Sequence, residues 1–356
     1  MIAGEVLQDT CRAVAIQRPQ VMECKVENTM KAVVLSEPGP VENLEITDLP
    51  IPEPRQGWVR IAVKAFGLNR SELQTRLGLA EGVTFPRVLG IEAVGLVDAA
   101  PGTDLEPGQQ VAAMMGGMGR TFNGGYAEYT VVPRSQVIPF RSELPWQTLG
   151  AVPETLQTAY GSLTTGLDLQ PGQTLLIRGG TSALGLATAT LAKDLGATVL
   201  STTRQPDRVE ALKAHGVDYP ILDTGQVAAE VRRIFPAGVD AALELVGTPT
   251  LPDTLASTRV HGVVCFTGML SNQWLVRDFY PISYLPKGVR LTAYGGDSAD
   301  LPAAVLQRYL DGIAAGTIDP GPVNVYTLDE IRKAHSDMEH NRSVGKLVVL
   351  TARAGS

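Results

Sequence analysis

The rhythm of apolar and polar positions changes twice along the chain. From Met30 to about Pro153, short β-rich runs such as WVRIAVKAFG and VLGIEAVGLVDAA are broken by Pro, Gly and Asp. That spacing predicts a compact β-rich unit. From Thr174 the pattern is different: TLLI reads as a buried strand, ALGLATATLAKDLG as a helix, ATVLST as a strand and RVEALKAHG as a helix. Strand and helix in alternation predict a parallel sheet with crossover helices. The alternation continues through a helix around Val227 to Ile234, the strand AALELVG, a helix after Pro252 and the strand GVVCFTG, so five or six parallel strands are expected. After VRLTAYGG it stops. A helix from Leu301 to Ala315 follows, and GKLVVL is a last strand with nothing after it to cover. It is expected to return to the first unit. The segment Met1 to Thr29 has mixed charges and no strong period, and is expected to be an extension or poorly ordered terminus ahead of a unit beginning near Met30.

Composition narrows the function classes. The 356 residues are enough for two domains, and 44% hydrophobic with 19% charged residues, 37 Gly and 24 Pro describe a turn-rich globular chain. A formal charge of -7 opposes broad binding to nucleic acid or to an anionic membrane. No apolar run reaches the roughly 18 residues of a membrane helix, and MIAGEVLQDT lacks the basic and apolar regions of a signal peptide. Cys11, Cys24 and Cys265 are too few and too scattered for a disulfide framework, which fits a reducing compartment. The cytoplasm is the expected location, with no nucleic-acid or membrane partner.

The chemistry begins at Gly179-Gly180-Thr181-Ser182-Ala183-Leu184-Gly185, which stands between the TLLI strand and a helix. There a dinucleotide pyrophosphate would meet free backbone N–H groups and the positive end of the helix, as in a Rossmann domain. The motif is imperfect, because Ser182 replaces the middle Gly of G-x-G-x-x-G; its hydroxyl is a candidate phosphate donor. At the end of the second strand a ribose 2′-OH wants an acid, whereas a 2′-phosphate wants cations and hydroxyls. Thr202, Thr203, Arg204 and Arg208 stand there, with Asp207 three residues beyond Arg204. This set favours NADPH over NADH; the competing reading is a solvated helix start.

Several motifs in one order give the chain a family resemblance: MKAVVLSEPG, AFGLNRSELQTRLG, FPRVLGIEAVGLV, GGYAEYTVVP, AVPETLQTAYGSL, RGGTSALGLA and AHSDMEHNRSVGKLVVL. They resemble the medium-chain dehydrogenase/reductase superfamily, in its zinc-independent, zeta-crystallin-like quinone oxidoreductase branch, over nearly everything from Met30 onward. The resemblance implies an α/β protein. A GroES-like β-rich catalytic domain would take residues 30–153 with 293–356 returning to it, and a Rossmann doubly wound parallel-sheet domain residues 154–292. It also implies a cleft between the two domains and a homodimer, formed by pairing cofactor-domain edge strands near Phe279 to Leu291.

Zinc-dependent relatives hold the catalytic metal with a Cys after the G-L/V pair and a His before the Glu of the next motif. Asn69 and Ile91 occupy those places, all four His lie in the second half, and the four-cysteine loop is absent, so no metal is expected. Without a Lewis acid, a quinone or enone is the expected hydride acceptor, since it spreads charge onto an oxygen that hydrogen-bond donors can hold. Asn69, whose amide offers two N–H groups, is the candidate donor; its competing reading is a helix cap. The resemblance places Thr158 near the nicotinamide, Val246, Gly247, Gly268 and Met269 along the cofactor, and Lys346 facing the pyrophosphate. Gln74 replaces a frequent family Tyr and is carried as a catalytic candidate. Ala80 stands where enoyl-thioester reductases carry a proton-donating Tyr, which leaves water, Tyr160 or Tyr126 as proton source. An NADPH-dependent quinone reductase is thus expected, with an enone or enoyl-thioester reductase, or a non-catalytic NADPH-binding crystallin-like protein, as alternatives.

Overall fold

A computed structural model describes residues 29–355. The expected extension over residues 1–29 therefore lies outside the described residues except for Thr29, which opens the strand Thr29–Leu35.

Two architectures follow each other, as the change of rhythm predicts. The first is antiparallel at its centre: Trp58–Gly67 pairs with Glu92–Ala99, Tyr129–Pro133 and Lys346–Leu350. Trp58–Gly67 alternates between buried and half-buried positions at its start and is buried throughout from Val63 on. Its second half is where the C-terminal strand pairs on one side, so WVRIAVKAFG reads as two-faced only over its first five residues. A smaller sheet of Leu44–Pro50, Thr29–Leu35 and Arg87–Val88 packs its apolar face into the same core, with Leu35, Leu44, Ile61 and Phe66 fully buried. The final strand returns as expected, Val348 lying opposite Gly67 and Leu350 opposite Ala65.

The second architecture is a six-stranded sheet in the order Tyr219–Leu222, Thr198–Thr203, Thr174–Arg178, Val239–Glu244, Thr258–Phe266, Arg290–Ala293, and every neighbouring pair is parallel. By chain order this is 3-2-1-4-5-6, the doubly wound arrangement whose ligand crevice lies at the carboxyl ends of the strands, where the order reverses. Leu175, Leu176 and Ile177 of the central strand are fully buried, as a strand covered on both faces requires. The helix Ala183–Asp194 follows it directly. The Ser182 hydroxyl accepts the Gly185 N–H at 3.1 Å to cap its start, and Gly196, at φ 81°, takes the left-handed turn that ends it. The helix expected from Leu301 runs from Ala303 to Ala314, because Pro302 fits just ahead of the first turn, where no N–H is needed.

The helix Pro153–Gly161 joins the two architectures. Leu156 and Ala159 belong to one continuous core with Ala65, Val94 and Met114 of the first sheet and Leu175, Ile177 and Leu243 of the second. A rigid wall thus stands between the sheets, and the cleft opens along it. No described helix is long and apolar enough to cross a membrane.

Candidate active site

The cleft has a volume of about 900 Å³, and both halves of the fold line it. On the cofactor side its wall is the turn after the central strand. A Cβ on Gly185 would lie 2.6 Å from the Gly180 carbonyl oxygen, and one on Gly180 would lie 1.7 Å from Ser201 Oγ. Both glycines therefore serve close packing of turn, helix and neighbouring strand. Thr181, Ser182, Ala183 and Leu184 line the cleft. The first-turn amides of Ala183 and Leu184 have no intrahelical acceptor and carry the positive end of a 12-residue helix. The Ser182 hydroxyl is already engaged, donating to the Gly179 carbonyl and accepting from Gly185. It acts first as a cap.

Arg204 and Arg208 also line the cleft, and neither makes an ion pair with a described residue. Arg178, at the end of the central strand, is different: its buried guanidinium holds Asp223 at 2.6 Å and Asp253 at 2.7 Å and is consumed in structure. The site thus keeps two uncommitted cations where the second strand ends, together with the open helix start. These residues fit a dinucleotide that carries extra phosphate.

On the other side, Asn69 precedes the helix Arg70–Arg76 and lines the cleft. Asn69 is the N-cap of that helix, in a capping box with Glu72, whose side chain accepts the Asn69 N–H at 3.1 Å, so the cap reading holds together with its place on the cleft. There Asn69 Nδ2 donates to Glu92 Oε1 at 3.0 Å, and Asn69 Oδ1 accepts from Lys346 Nζ. One amide hydrogen remains unspent. Lys346 Nζ also pairs with Glu92 at 3.0 Å and Glu154 at 3.1 Å, and Glu154 accepts the Thr158 hydroxyl at 2.9 Å. Burial alone would lower the lysine pKa; the two carboxylates outweigh it and raise it, so the ammonium stays charged.

Burial, opposed by N–H donors from Ile91 and its own backbone, pushes Glu72 up to about 8, with the Glu92 charge adding to the rise. Its side chain holds both the helix start and, through the Ile91 N–H at 2.9 Å, the neighbouring loop.

The structure brings Asn69, Gln74, Thr158, Thr181, Ser182, Ala183, Leu184, Arg204, Arg208, Gly268, Met269 and Lys346 onto one cleft. The other candidates stand elsewhere. Tyr160 is two positions beyond Thr158 on one helix, roughly 200° round its axis, and packs against the core instead of facing the cleft. Tyr126 is fully buried, stacks on Phe66 and meets His335 Nε2 at 3.2 Å. The tyrosine that does line the cleft is Tyr294, whose hydroxyl is spent on Asp300 at 2.7 Å and Gln157 at 2.6 Å. Its pKa is raised, first by burial and then by Asp300.

Gly180 lies behind the turn, and Thr203 is buried with its hydroxyl bonded to the backbone of Gln205. Val246 and Gly247 give their N–H groups to the buried Glu244 carboxylate at 2.7 and 3.0 Å. Lys346 reaches the cleft, where its ammonium is turned to Glu92, Glu154 and Asn69. Glu92 and Glu154 are the site residues that sequence reading misses. A lone acid inside the apolar run VLGIEAVGLV was the available signal for the first.

The two places that hold metal ligands in zinc-dependent relatives carry an amide engaged at both ends and the aliphatic Ile91, so they do not fit zinc. Among the described residues no group of three or more His, Cys, Asp or Glu is placed to hold a metal ion.

Comparison with known proteins agrees with this architecture. Residues 55–142 match the alcohol dehydrogenase GroES-like domain, and residues 215–349 a family described as zinc-binding dehydrogenase. A quinone oxidoreductase of Lama guanicoe is 26% identical over 334 residues, covering 91% of this chain and 98% of that one. The solved quinone oxidoreductase of Pseudomonas syringae superposes with a TM-score of 0.80 at 25% identity, covering 90% of this chain and 99% of that one. A mycobacterial protein solved in complex with NADPH gives 0.77 at 26% identity, with 90% and 99% covered. The chain also matches stretches of polyketide synthases, spanning 5% of the length of one from Streptomyces halstedii and 13% of one from Streptomyces orinoci. From the doubly wound sheet, the GroES-like domain and these likenesses together, the chain is an oxidoreductase that belongs to the medium-chain dehydrogenase/reductase superfamily, in its quinone oxidoreductase branch.

Proposed function

We propose that the protein is a zinc-independent, NADPH-dependent reductase of quinones or related conjugated carbonyls, active as a homodimer in the cytoplasm. The observation that carries this reading is the state of Asn69: its oxygen is fixed by Lys346 and one N–H by Glu92, which leaves a single oriented N–H at a cleft wall with no metal ligand set. Bound against the Ala183 helix start, NADPH would supply a hydride. The chain's own part is to hold the acceptor oxygen as charge develops on it, and a pre-oriented amide N–H beside an ammonium does so with little reorganisation. Arg204 and Arg208 favour the 2′-phosphate, since charge-assisted hydrogen bonds of this kind discriminate by about ten- to a hundredfold.

With Tyr160 and Tyr126 away from the cleft and the Tyr294 hydroxyl committed, the proton comes from solvent. We divide the chain into substrate domain 30–153 with 293–356 and cofactor domain 154–292. Subunits would pair through the edge strand Arg290–Ala293 and the preceding exposed segment.

Steady-state assays test the reading. NADPH oxidation is measured with a naphthoquinone, an alkyl enone and an enoyl thioester, and each is repeated with NADH. The expected result is turnover of the quinone or the alkyl enone, with NADPH preferred in kcat/KM by at least about tenfold. A preference for NADH removes the role of the two arginines. Tight NADPH binding without turnover of any acceptor indicates the non-catalytic alternative.

A further inference from the structure

The wall of the cleft that faces Arg70–Arg76 carries unspent polar groups that the reading above does not use. Arg120 lines the cleft and donates from Nη2 to Ser71 Oγ at 2.7 Å. Its Nε is buried without a hydrogen-bond partner, and it makes no ion pair with a described residue. Ser71 and Gln74 are three residues apart on the helix and so share a face. Gln74 also lines the cleft, is 3% exposed, and has an amide oxygen without a partner. A half-buried guanidinium and a buried amide thus line the same wall of the cleft, and each has a polar atom without a partner. A buried donor without a partner, such as Arg120 Nε, is costly unless an acceptor completes it.

The loop that delivers Arg120 is held firmly. Met115 N–H donates to the Ile91 carbonyl at 2.7 Å, and Gln136 Nε2 donates to the Gly116 carbonyl at 2.7 Å. Met115, Gly116, Gly117 and Gly119 all have positive φ, and a Cβ on Gly119 would lie 2.7 Å from the Gly90 carbonyl oxygen. Met115 in that conformation is strained, and strain of this sort persists where the surroundings enforce it. The guanidinium is therefore presented at a fixed place.

We infer that Arg120, with Ser71 and Gln74, forms a subsite for a carboxylate carried by the acceptor, so that the preferred substrate is a conjugated carbonyl that is also an acid. The inference rests on the reductase reading for what happens at the other end of the acceptor. Asn69 caps the helix and Gln74 is four residues beyond its first residue, about 6 Å of axial rise from Arg70, which is the order of length of a short unsaturated chain. The carboxylate takes no part in the reaction. It binds the planar guanidinium through charge-assisted hydrogen bonds and receives the Gln74 amide N–H. Ile91, Met115 and Leu79 give the apolar sides between.

The test compares benzoylacrylate with its methyl ester, which removes the charge, adds one methyl group and makes the alkene intrinsically the better hydride acceptor, so a preference for the acid has to come from the protein. The wild type is expected to favour the acid in kcat/KM by about ten- to a hundredfold, as one charged hydrogen-bonded contact provides. Arg120→Met should abolish that ratio and Arg120→Lys restore part of it, with Gln74→Leu reducing it. Equal use of acid and ester by the wild type, or a ratio that survives Arg120→Met, overturns the inference. Calorimetry of benzoylacrylate binding to the protein saturated with NADP+ separates the subsite from the reductase reading. Binding that Arg120→Met abolishes, without turnover of either acceptor by the wild type, upholds the subsite and overturns the reductase reading. No heat of binding to the folded wild type overturns the subsite.

Discussion

At the scale of single residues, the site turns on how Asn69 is oriented. Its amide is held by a carboxylate at one end and an ammonium at the other, so loss of the side chain and loss of its holder have different signatures. Asn69→Ala removes the donor and is expected to lower kcat by about 10²–10³. Lys346→Met leaves Asn69 held by Glu92 alone, and kcat should fall by about tenfold with the KM for NADPH unchanged. A Lys346 that contacted the pyrophosphate would instead raise that KM, so steady-state kinetics on the folded variant decide between the two roles. The same substitution leaves Glu92 and Glu154 without their shared cation, and should cost about 3 kcal/mol in denaturant unfolding.

Asn69 was legible in the sequence because an amide in place of a metal-binding Cys is a chemical statement at one position. The partners were not. Asn69 and Lys346 are 277 residues apart, and nothing local in VGKLVV tells a cofactor-facing lysine from one folded back onto two acids. Tyr160 misled for a simpler reason: two steps along a helix reverse the direction of a side chain, so nearness to Thr158 in sequence is distance in space.

At the scale of elements, the helix Arg70–Arg76 carries Asn69 at its start, Gln74 on its cleft face and Glu72 underneath. Glu72 makes this element sensitive to pH. Its folded pKa, about 8, lies above its ordinary value of 4.5, so between those values the native state holds a proton that the unfolded chain has released. The contribution to stability is full below pH 4.5 and lost as pH rises through about 8. His335 acts in the opposite sense. Burial, with the Arg76 charge adding to it, lowers its pKa from 6.5 to about 3, so its contribution is lost as pH falls from 6.5 toward 3. Between pH 6.5 and 8, therefore, only Glu72 of these two changes stability. Denaturant midpoints of the wild type should fall across that window, by at most about 1.4 kcal/mol per pH unit, and Glu72→Gln should flatten the fall. An equal slope in both proteins removes Glu72 as its origin.

The elements themselves were the most readable feature. Strand and helix follow from periodicities of two and 3.6, and the six-strand alternation from Thr174 on left little choice of fold. The turn at Gly179 to Gly185 was readable as phosphate-binding only through its position, since its middle glycine is replaced. The structure gives the physical reason the substitution is tolerated: Ser182 caps the helix, and the close approaches fall on Gly180 and Gly185.

At the scale of the molecule, the sheet ends on an edge. Arg290–Ala293 is the outermost strand of the parallel sheet, and an uncovered edge offers a row of backbone donors and acceptors to another chain. The segment before it adds apolar surface: Leu275 is 81% exposed, Tyr280 61% and Ile282 82%. Isolated exposed leucines need no explanation, but several large apolar side chains beside an open strand edge are the surface that the proposed pairing of subunits would cover. Two such edges meeting about a twofold axis would join the sheets of two subunits and bury Ile282 and its neighbours at once. Trp274 and Tyr294, next in sequence to this surface, line the cleft, so the pairing would lie beside each site. Ile282→Glu, which places a charge in that surface, is expected to convert the protein to a monomer in light scattering while NADPH binding persists. A wild type that is monomeric at the highest soluble concentration, or a dimer indifferent to the substitution, would require another use for this face.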